Sequence, residues 1–409
     1  MICRCSSQLL AGLLIATISS LALSGSLERR VINPRNFKPH DRPYSSAILT
    51  GDTLYVSGQG SRDAEGNQPV GFQAQVKQCL QNVRDILQGG GMDFDNTVWM
   101  NVYLTDWNQY DAMNKVYWET IGKSPPARTV LGIADLPAEN KIEINCIAVA
   151  DAKSKKAIWP AEWVKRPNLD PPAILANDLL YLSAQGSQDA ATGKHPENFR
   201  NQVKQALEKF GAVLQAAGMS HRNLLWVNPY LDNFKQYEEL NQVYASYFEF
   251  GNTPGRGTIE VVQLPDQSHI VFSGIAGRDL SKRKAVKPRN MPPSPTASPG
   301  ILYGDILYLS AKSGFIPGQG IVTPDFELQL RQTMRNLLDG LEEAGVDFSD
   351  VVWSTVYLKE MKDYDRMNKL YRTFFKDGFP ARTTLQQSFD KETKTEEQIS
   401  FIAVKSVQR

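Results

Sequence analysis

The chain has 409 residues, of which 45 are lysine or arginine and 44 are aspartate or glutamate, so its formal net charge is +1. This length is enough for about three domains of ordinary size. A balanced charge supplies neither the basic surface that non-specific nucleic-acid binding needs nor an acidic disordered tail. Hydrophobic residues make up 42% of the chain, which is enough for folded cores. We therefore expect a folded chain with no nucleic-acid partner.

Residues 1–26 have the pattern of a secretory signal peptide. Arg4 is the only charge before a short apolar run over residues 9–23, and small residues follow the run. The run is too short to span a bilayer comfortably, although an uncleaved membrane anchor is the alternative. We expect cleavage near residues 24–26, export to the periplasm or the exterior, and no stable membrane span afterwards.

Four cysteines occur, and the predicted cleavage would remove Cys3 and Cys5. Cys79 lies in a predicted helix and Cys146 in a predicted strand. Two cysteines in a large chain do not make a disulfide framework. We predict two small buried side chains, with a single bridge between them as the alternative.

The first unit, residues 31–150, alternates strand and helix patterns. Residues 47–50 and 53–58 predict two strands around a tight turn. Residues 72–87 have apolar side chains at helical spacing, and three glycines follow at 89–91. The remaining elements are a strand over 97–104, a helix over 110–121, and strands over 128–133 and 141–150. The predicted order is β-β-α-β-α-β-β.

The same order returns in residues 160–280 and 294–409. An arginine recurs after a proline at the start of a strand, and an asparagine recurs in the preceding helix, at fixed offsets. The arginines are residues 128, 256 and 382, and the asparagines are residues 114, 241 and 368. We predict three tandem α+β units, each with its helices on one face of a mostly antiparallel sheet. Pro229 predicts an edge or a bulge in the second unit, and residues 281–299 predict an extended, solvated linker.

Several motifs of the first unit resemble one known family. They are Leu-Tyr-Val-Ser-Gly-Gln at 54–59, Asn-Val-Tyr-Leu-Thr-Asp at 101–106, Met-Asn-Lys-Val-Tyr at 113–117, Pro-Ala-Arg-Thr at 126–129 and Lys-Ile-Glu-Ile at 141–144. Each unit is similar to one domain of the Rid family, the reactive intermediate deaminases, also called YjgF-like or endoribonuclease L-PSP. Units two and three carry weaker copies of the motifs.

The resemblance implies a chorismate-mutase-like fold that assembles as a homotrimer, with ligand clefts between subunits. Three fused copies then imply an intramolecular pseudo-trimer. It also implies hydrolysis of imines or enamines of the 2-iminopropanoate and 2-iminobutanoate class, with release of a 2-oxo acid and ammonia and with no cofactor or metal. A non-catalytic binder of a small carboxylated metabolite, or a scaffold, on the same fold is the alternative.

Four residues of the first unit carry the predicted site. Arg128 presents a planar fork that can hold a carboxylate through two hydrogen bonds. The resemblance implies that Glu143 orients or deprotonates the attacking water, and that Tyr44 and Ser57 bind the ligand. The alternative for each is ordinary: a loop arginine, a solvent-facing glutamate, a loop aromatic and a hydroxyl at a strand end.

Units two and three keep the arginine and the serine of this set. These further predicted substrate-binding residues are Ser183, Arg256, Ser310 and Arg382. The tyrosine and the glutamate are replaced, and neither valine nor glutamine can act as a base. The replacements are Asp170 and Val271 in the second unit and Ala297 and Gln398 in the third, and the motif glycine becomes Ala184 and Ala311. At most one complete set therefore survives in a single unit, although a cleft between units could draw on two.

Other recurring residues have ordinary interpretations. We expect the helix asparagines to bond nearby backbone and Tyr117, Tyr244 and Tyr371 to lie in the cores. The four histidines are scattered without ligand spacing, which predicts no metal site.

Overall fold

The computed structural model describes residues 28–165, 168–189, 192–292, 294–388 and 393–406. The predicted signal peptide, with Cys3 and Cys5, lies outside these ranges, so its cleavage stays a prediction. No helix in the described ranges is long and apolar enough to cross a membrane.

Each unit is one sheet covered by two helices. The elements of the first unit are β1 (Arg30–Ile32), β2 (Ala47–Thr50), β3 (Thr53–Gln59), α1 (Phe72–Gly89), β4 (Thr97–Leu104), α2 (Tyr110–Ile121), β5 (Ala127–Gly132) and β6 (Ile142–Val149). Those of the second are β7 (Lys156–Ile158), β8 (Ala173–Ala176), β9 (Leu179–Gly186), α3 (Phe199–Ala216), β10 (Leu224–Leu231), α4 (Tyr237–Ala245), β11 (Gly255–Arg256), β12 (Ile259–Glu260) and β13 (Ile270–Gly277). Those of the third are β14 (Arg283–Val286), β15 (Gly300–Tyr303), β16 (Ile306–Leu309), α5 (Phe326–Ala344), β17 (Val351–Leu358), α6 (Tyr364–Tyr371), β18 (Ala381–Gln386) and β19 (Glu397–Val404).

The strand order of the first sheet is β1-β2-β3-β6-β4-β5, and the other two sheets follow the same order. The pairs are antiparallel except where the arginine-bearing strand pairs with its neighbour, as β5 does with β4. The prediction of three repeated α+β units is confirmed. A first edge strand in each unit (β1, β7 and β14) was missed, because three or four residues are too few to show an alternating pattern.

Two local expectations need correction. Residues 281–299 are not simply a solvated linker, since β14 pairs with β15 over Arg283–Val286. Pro229 lies in the interior of β10 rather than at a sheet edge. Because proline has no N–H to donate, the parallel partner of β10 breaks there into β11 and β12, which pair on either side of Asn228 and Pro229.

Each long helix packs its apolar face on its own sheet. In α1 the buried residues include Val76, Leu80, Val83 and Leu87, which recur at helical spacing. Helix α5 begins at the Asp325 cap and ends at Gly345, whose φ of 73° suits glycine. Cys79 and Cys146 are buried and unbonded in the first core, so the prediction of two small buried side chains is confirmed.

The inner faces of the three sheets share one apolar cluster. Each unit contributes an equivalent isoleucine, tyrosine and tryptophan to it. They are Ile48, Tyr55 and Trp99 in the first unit, Ile174, Tyr181 and Trp226 in the second, and Ile301, Tyr308 and Trp353 in the third. A second shared cluster contains the equivalent Tyr103, Tyr230 and Tyr357. The units therefore contact one another through buried apolar surface, which stabilises their association as it stabilises a core.

Candidate active site

The arginine-bearing strand of each unit lies against the next unit, and the third unit lies against the first. The backbone N–H of Arg128 donates to Ser183 Oγ at 2.9 Å, that of Arg256 to Ser310 Oγ at 2.9 Å, and that of Arg382 to Ser57 Oγ at 2.8 Å. Three equivalent interfaces result. We name them the Arg128 cleft (units one and two), the Arg256 cleft (units two and three) and the Arg382 cleft (units three and one).

The serines at these interfaces are structural. Ser57 accepts the Arg382 N–H and donates its hydroxyl to the Ser45 carbonyl at 2.5 Å. Ser183 and Ser310 make the same pair of bonds. All three are buried. Backbone groups thus use each hydroxyl once as donor and once as acceptor, which leaves one lone pair, and substrate binding by these serines stays a prediction.

The Arg382 cleft contains a cavity of about 640 Å³. The first unit supplies Tyr44, Gly58, Gln59, Asn140 and Glu143 to its walls, and the third supplies Tyr364, Asn368, Arg382 and Thr384. The tyrosine and glutamate of the predicted set thus meet an arginine from a different unit.

Arg382 is held in place but keeps its charge available. Its residue is 4% exposed, and its Nη2 donates to Asn368 Oδ1 at 2.6 Å. The guanidinium carbon lies 5.1 Å from the ring centroids of both Tyr44 and Tyr371, which favours a cation. No carboxylate in the described part of the chain forms an ion pair with it. A planar cation held in this way, with no acid bound to it, suits a ligand carboxylate.

The role of the helix asparagine was missed in the sequence. Asn368 bonds the arginine side chain rather than nearby backbone, and Asn241 does the same for Arg256 at 2.7 Å. The signal was present, because asparagine and arginine recur together at an almost constant separation. Tyr117, Tyr244 and Tyr371 are fully buried as expected, and each ring also supports an arginine.

Glu143 brings a protonatable carboxyl to the same cavity. It is 6% exposed, and burial raises its pKa to about 8, against the opposing effect of the Arg382 charge. Gly58 makes room for this side chain, since a Cβ at that position would lie 1.9 Å from Glu143 Oε1. The units that have Ala184 and Ala311 there have lost the glutamate as well.

Arg128 does not join this cavity, which corrects its expected grouping with Glu143. Arg128 packs over the Tyr117 ring of α2, 4.0 Å from the centroid, on the helix side of its sheet. Glu143 pairs with Tyr103 on the other face. Arg128 and Glu143 therefore cannot share one site within their unit. Glu143 instead meets the equivalent arginine of the third unit, Arg382.

The Arg128 cleft is closed by an ion pair instead. Nε and Nη2 of Arg128 each lie 2.8 Å from Asp170 Oδ2, with side chains 4% and 21% exposed. Burial alone would lower the pKa of Arg128, but the Asp170 carboxylate raises it above its usual value. Asp170 occupies the position of Tyr44, so a carboxylate of the chain lies where a ligand carboxylate would bind.

The Arg256 cleft differs from both. Nε and Nη2 of Arg256 are buried without a hydrogen-bond partner, and Ala297 and Gln398 replace the tyrosine and the glutamate. Lys312 lies at the position of Gln59, and burial lowers its pKa to about 8. This cleft therefore carries cations but lacks a carboxyl equivalent to Glu143.

No group of three or more His, Cys, Asp or Glu side chains within the described ranges could hold a metal ion.

One protein-family model matches the chain in three successive segments. The family model described as endoribonuclease L-PSP matches residues 37–150, 168–276 and 290–404. The goat and human proteins named 2-iminobutanoate/2-iminopropanoate deaminase are 40% and 37% identical over 126 residues, which is 30% of this chain and 92% of each relative. A RutC family protein of Pyrococcus horikoshii is 35% identical over 122 residues, 29% of this chain and 97% of its own length.

Solved structures give matches of one-unit length. Yeast Mmf1 is 30% identical with a TM-score of 0.29, covering 30% of this chain and 98% of its own. Escherichia coli TdcF with bound serine is 29% identical with a TM-score of 0.28, covering 29% and 98%.

Proposed function

Since the chain belongs to the endoribonuclease L-PSP (Rid) family, we propose that the Arg382 cleft hydrolyses small carboxylated imines or enamines to a 2-oxo acid and ammonia. The observation that carries the proposal is that Arg382, which has no acid bound to it, shares one cavity with Glu143, a carboxyl whose pKa burial raises to about 8. The names of the relatives support the 2-iminopropanoate and 2-iminobutanoate class.

In the proposed reaction Arg382 binds the substrate carboxylate and fixes the neighbouring imine carbon in the cavity. Water adds to that carbon as Glu143, in its carboxylate form, takes one water proton and passes it to the imine nitrogen, which gives a neutral carbinolamine and restores the carboxylate. Glu143 then takes the carbinolamine hydroxyl proton and passes it to the amine nitrogen, the C–N bond breaks, and the 2-oxo acid and ammonia leave. A pKa near the working pH suits a group that both accepts and returns a proton.

An enamine needs one earlier step, which the protonated form of Glu143 can supply. Because the pKa of Glu143 is about 8, the carboxyl is largely protonated at neutral pH. Transfer of that proton to the enamine carbon gives the iminium and leaves Glu143 as the carboxylate that the hydration step requires. The positive charge of the iminium in turn favours the carboxylate form of Glu143 over its protonated form.

The arrangement of the units is part of the proposal. The cyclic contacts through Ser57, Ser183 and Ser310 support an intramolecular counterpart of the homotrimer that the family resemblance implies. One cleft of the three then contains the arginine, the tyrosine and the glutamate together, as Arg382, Tyr44 and Glu143. We also propose export, on the basis of residues 1–26, and N-terminal sequencing of the mature protein would test it.

The test is ammonia release from enzymatically generated 2-iminobutanoate. We expect the purified chain to exceed the spontaneous rate and Glu143→Gln to lower kcat by about 10²- to 10⁴-fold, the usual contribution of a positioned acid or base. Glu119→Gln, an exposed acid on α2, is the matched control and should keep the wild-type rate.

A second function, non-catalytic binding of a small carboxylate, is favoured by the loss of the acid in the other two clefts. A folded wild-type chain that gives no acceleration, but gains thermal stability from 2-oxobutanoate, would support binding and overturn the hydrolase.

A further inference from the structure

The cavity of the Arg382 cleft extends well beyond Arg382 and Glu143. Its volume of about 640 Å³ lies in the range of pockets that take drug-sized ligands, whereas 2-iminobutanoate has a four-carbon skeleton. The additional wall comes from the segment that precedes Tyr44, with Phe37, His40 and Arg42 among its side chains.

Arg42 places a second guanidinium in this cavity. Its Nη1 donates to the Tyr44 hydroxyl at 3.1 Å, and the ring of the same tyrosine lies 5.1 Å from the Arg382 guanidinium carbon. Tyr364, the other cavity tyrosine near Arg382, has its ring centroid 5.8 Å from the Arg382 guanidinium carbon. Tyr44 therefore contacts both arginines.

Two of the acids on the cavity wall are engaged elsewhere. Asp41 pairs with Arg372 at 2.8 Å, and Asp63 accepts the backbone N–H groups of Glu65 and Asn67 in its own loop. No carboxylate in the described ranges forms an ion pair with Arg42. Its charge at the cavity mouth is thus available to a ligand.

Of the three clefts, only the Arg382 cleft, which contains the glutamate, has an arginine at the position of Arg42. The position two residues before the Tyr44 site is Asn168 in the second unit and Pro295 in the third. Neither residue is cationic, and neither of their clefts contains the glutamate. Arg42, Tyr44 and Glu143 therefore occur together in one cleft of the three.

We infer that the Arg382 cleft prefers dicarboxylic 2-imino acids of four or five carbons. Arg382 binds the carboxylate beside the imine, and Arg42 binds the distal carboxylate at the cavity mouth. This inference rests on the proposed function and names its substrate class. Two cations that receive two carboxylates form two charge-assisted pairs where a monocarboxylate forms one.

Binding of stable 2-oxo acids tests the inference apart from catalysis. Dissociation constants for 2-oxoglutarate and 2-oxobutanoate are measured by calorimetry on the wild type, Arg42→Gln and Arg35→Gln. Arg35 is an exposed arginine on the same segment but off the cavity wall. We expect the wild type and Arg35→Gln to favour 2-oxoglutarate about tenfold, and Arg42→Gln to show a ratio near one, as the loss of one charge-assisted bond predicts.

The outcomes separate the two proposals. Equal affinities in the wild type would overturn the dicarboxylate inference, with the cavity acids Asp85 and Asp365 offsetting the charge of Arg42. A preference that survives Arg42→Gln would overturn the assignment of the distal carboxylate to Arg42. Turnover of 2-iminobutanoate alongside either result would leave the proposed function intact. Absence of both binding and turnover would overturn both.

Discussion

The Arg382 and Arg128 clefts are built from the same parts and end in opposite states. Each has an arginine on a strand after a proline, a serine of the next unit that accepts the arginine N–H, and a buried tyrosine under the guanidinium. Among the positions of the neighbouring unit at which they differ, the one that faces the arginine holds Tyr44 in one cleft and Asp170 in the other. Tyr44 leaves the charge of Arg382 available, whereas Asp170 neutralises Arg128 from within the chain. The residue that faces the arginine, rather than the arginine itself, decides whether the cleft can take an anion.

The largest expected effect comes from breaking the internal ion pair. Arg128→Gln leaves Asp170 without its cation, and removing one partner of a buried pair costs about 3–5 kcal/mol. Because Asp170 is partly exposed and can take up a proton, we expect about 3 kcal/mol at pH 8 and less at pH 5, measured by urea unfolding. The double variant Arg128→Gln/Asp170→Asn should recover most of the loss. A single variant as stable as the wild type would show that the pair does not hold the cleft closed.

Two buried glutamates sharpen the comparison, because Glu143 lines the cavity of the Arg382 cleft and Glu397 is not among the residues that line it. Glu397 in β19 is fully buried, accepts Thr333 Oγ1 at 2.6 Å, and leaves Oε2 without a partner. Burial raises its pKa to about 8, as for Glu143. A raised carboxyl pKa alone therefore does not identify a site.

Glu397→Ile tests the energetic cost of that burial, since the equivalent residues are Ile142 and Ile270. The folded chain binds this proton more tightly than the unfolded chain. The resulting stabilisation is complete below a pH of about 4.5, the ordinary pKa of glutamate in the unfolded chain. It is lost as the pH rises through about 8, the pKa of Glu397 in the folded chain. We expect the variant to gain about 2–4 kcal/mol at pH 8 and little at pH 4, with the rate of deamination unchanged. A difference in unfolding free energy that does not vary with pH would contradict a protonated Glu397.

Gly58→Ala places in the Arg382 cleft the alanine that the other two clefts have at this position, Ala184 and Ala311. The new Cβ must displace the Glu143 carboxyl, whose Oε1 would lie 1.9 Å away. Because the flexible end of a side chain moves rather than backbone, we expect about a tenfold loss of kcat, equivalent to about 1.4 kcal/mol, with only a small change in Tm. Adding Glu143→Gln should produce no loss beyond that of Glu143→Gln alone. An unchanged kcat in Gly58→Ala would mean that Glu143 need not occupy this position.

The sequence predicted the units and the types of site residue better than their partners. Periodicity and motif spacing indicated three α+β units and the recurring arginines, and the family resemblance implied a role for Glu143. These signals could not indicate that Arg128 and Glu143 lie on opposite faces of one sheet, because that depends on the register of β5 and β6 against β4. Asp170 was visible at the tyrosine position, but its pairing with Arg128, 42 residues away in the chain, depends on contact between two units. The bond from each serine hydroxyl to the next arginine strand was not foreseen, because a motif does not show which groups of another unit it meets.

The most direct test of the account compares Arg382→Gln with Arg128→Gln in 2-iminobutanoate deamination. We predict that Arg382→Gln lowers kcat/KM by about 100-fold or more, as expected when a buried charged partner is lost. Arg128→Gln should retain turnover under conditions where it is folded. Loss of turnover in folded Arg128→Gln, with turnover kept in Arg382→Gln, would contradict the assignment of the site to the interface between the third and first units.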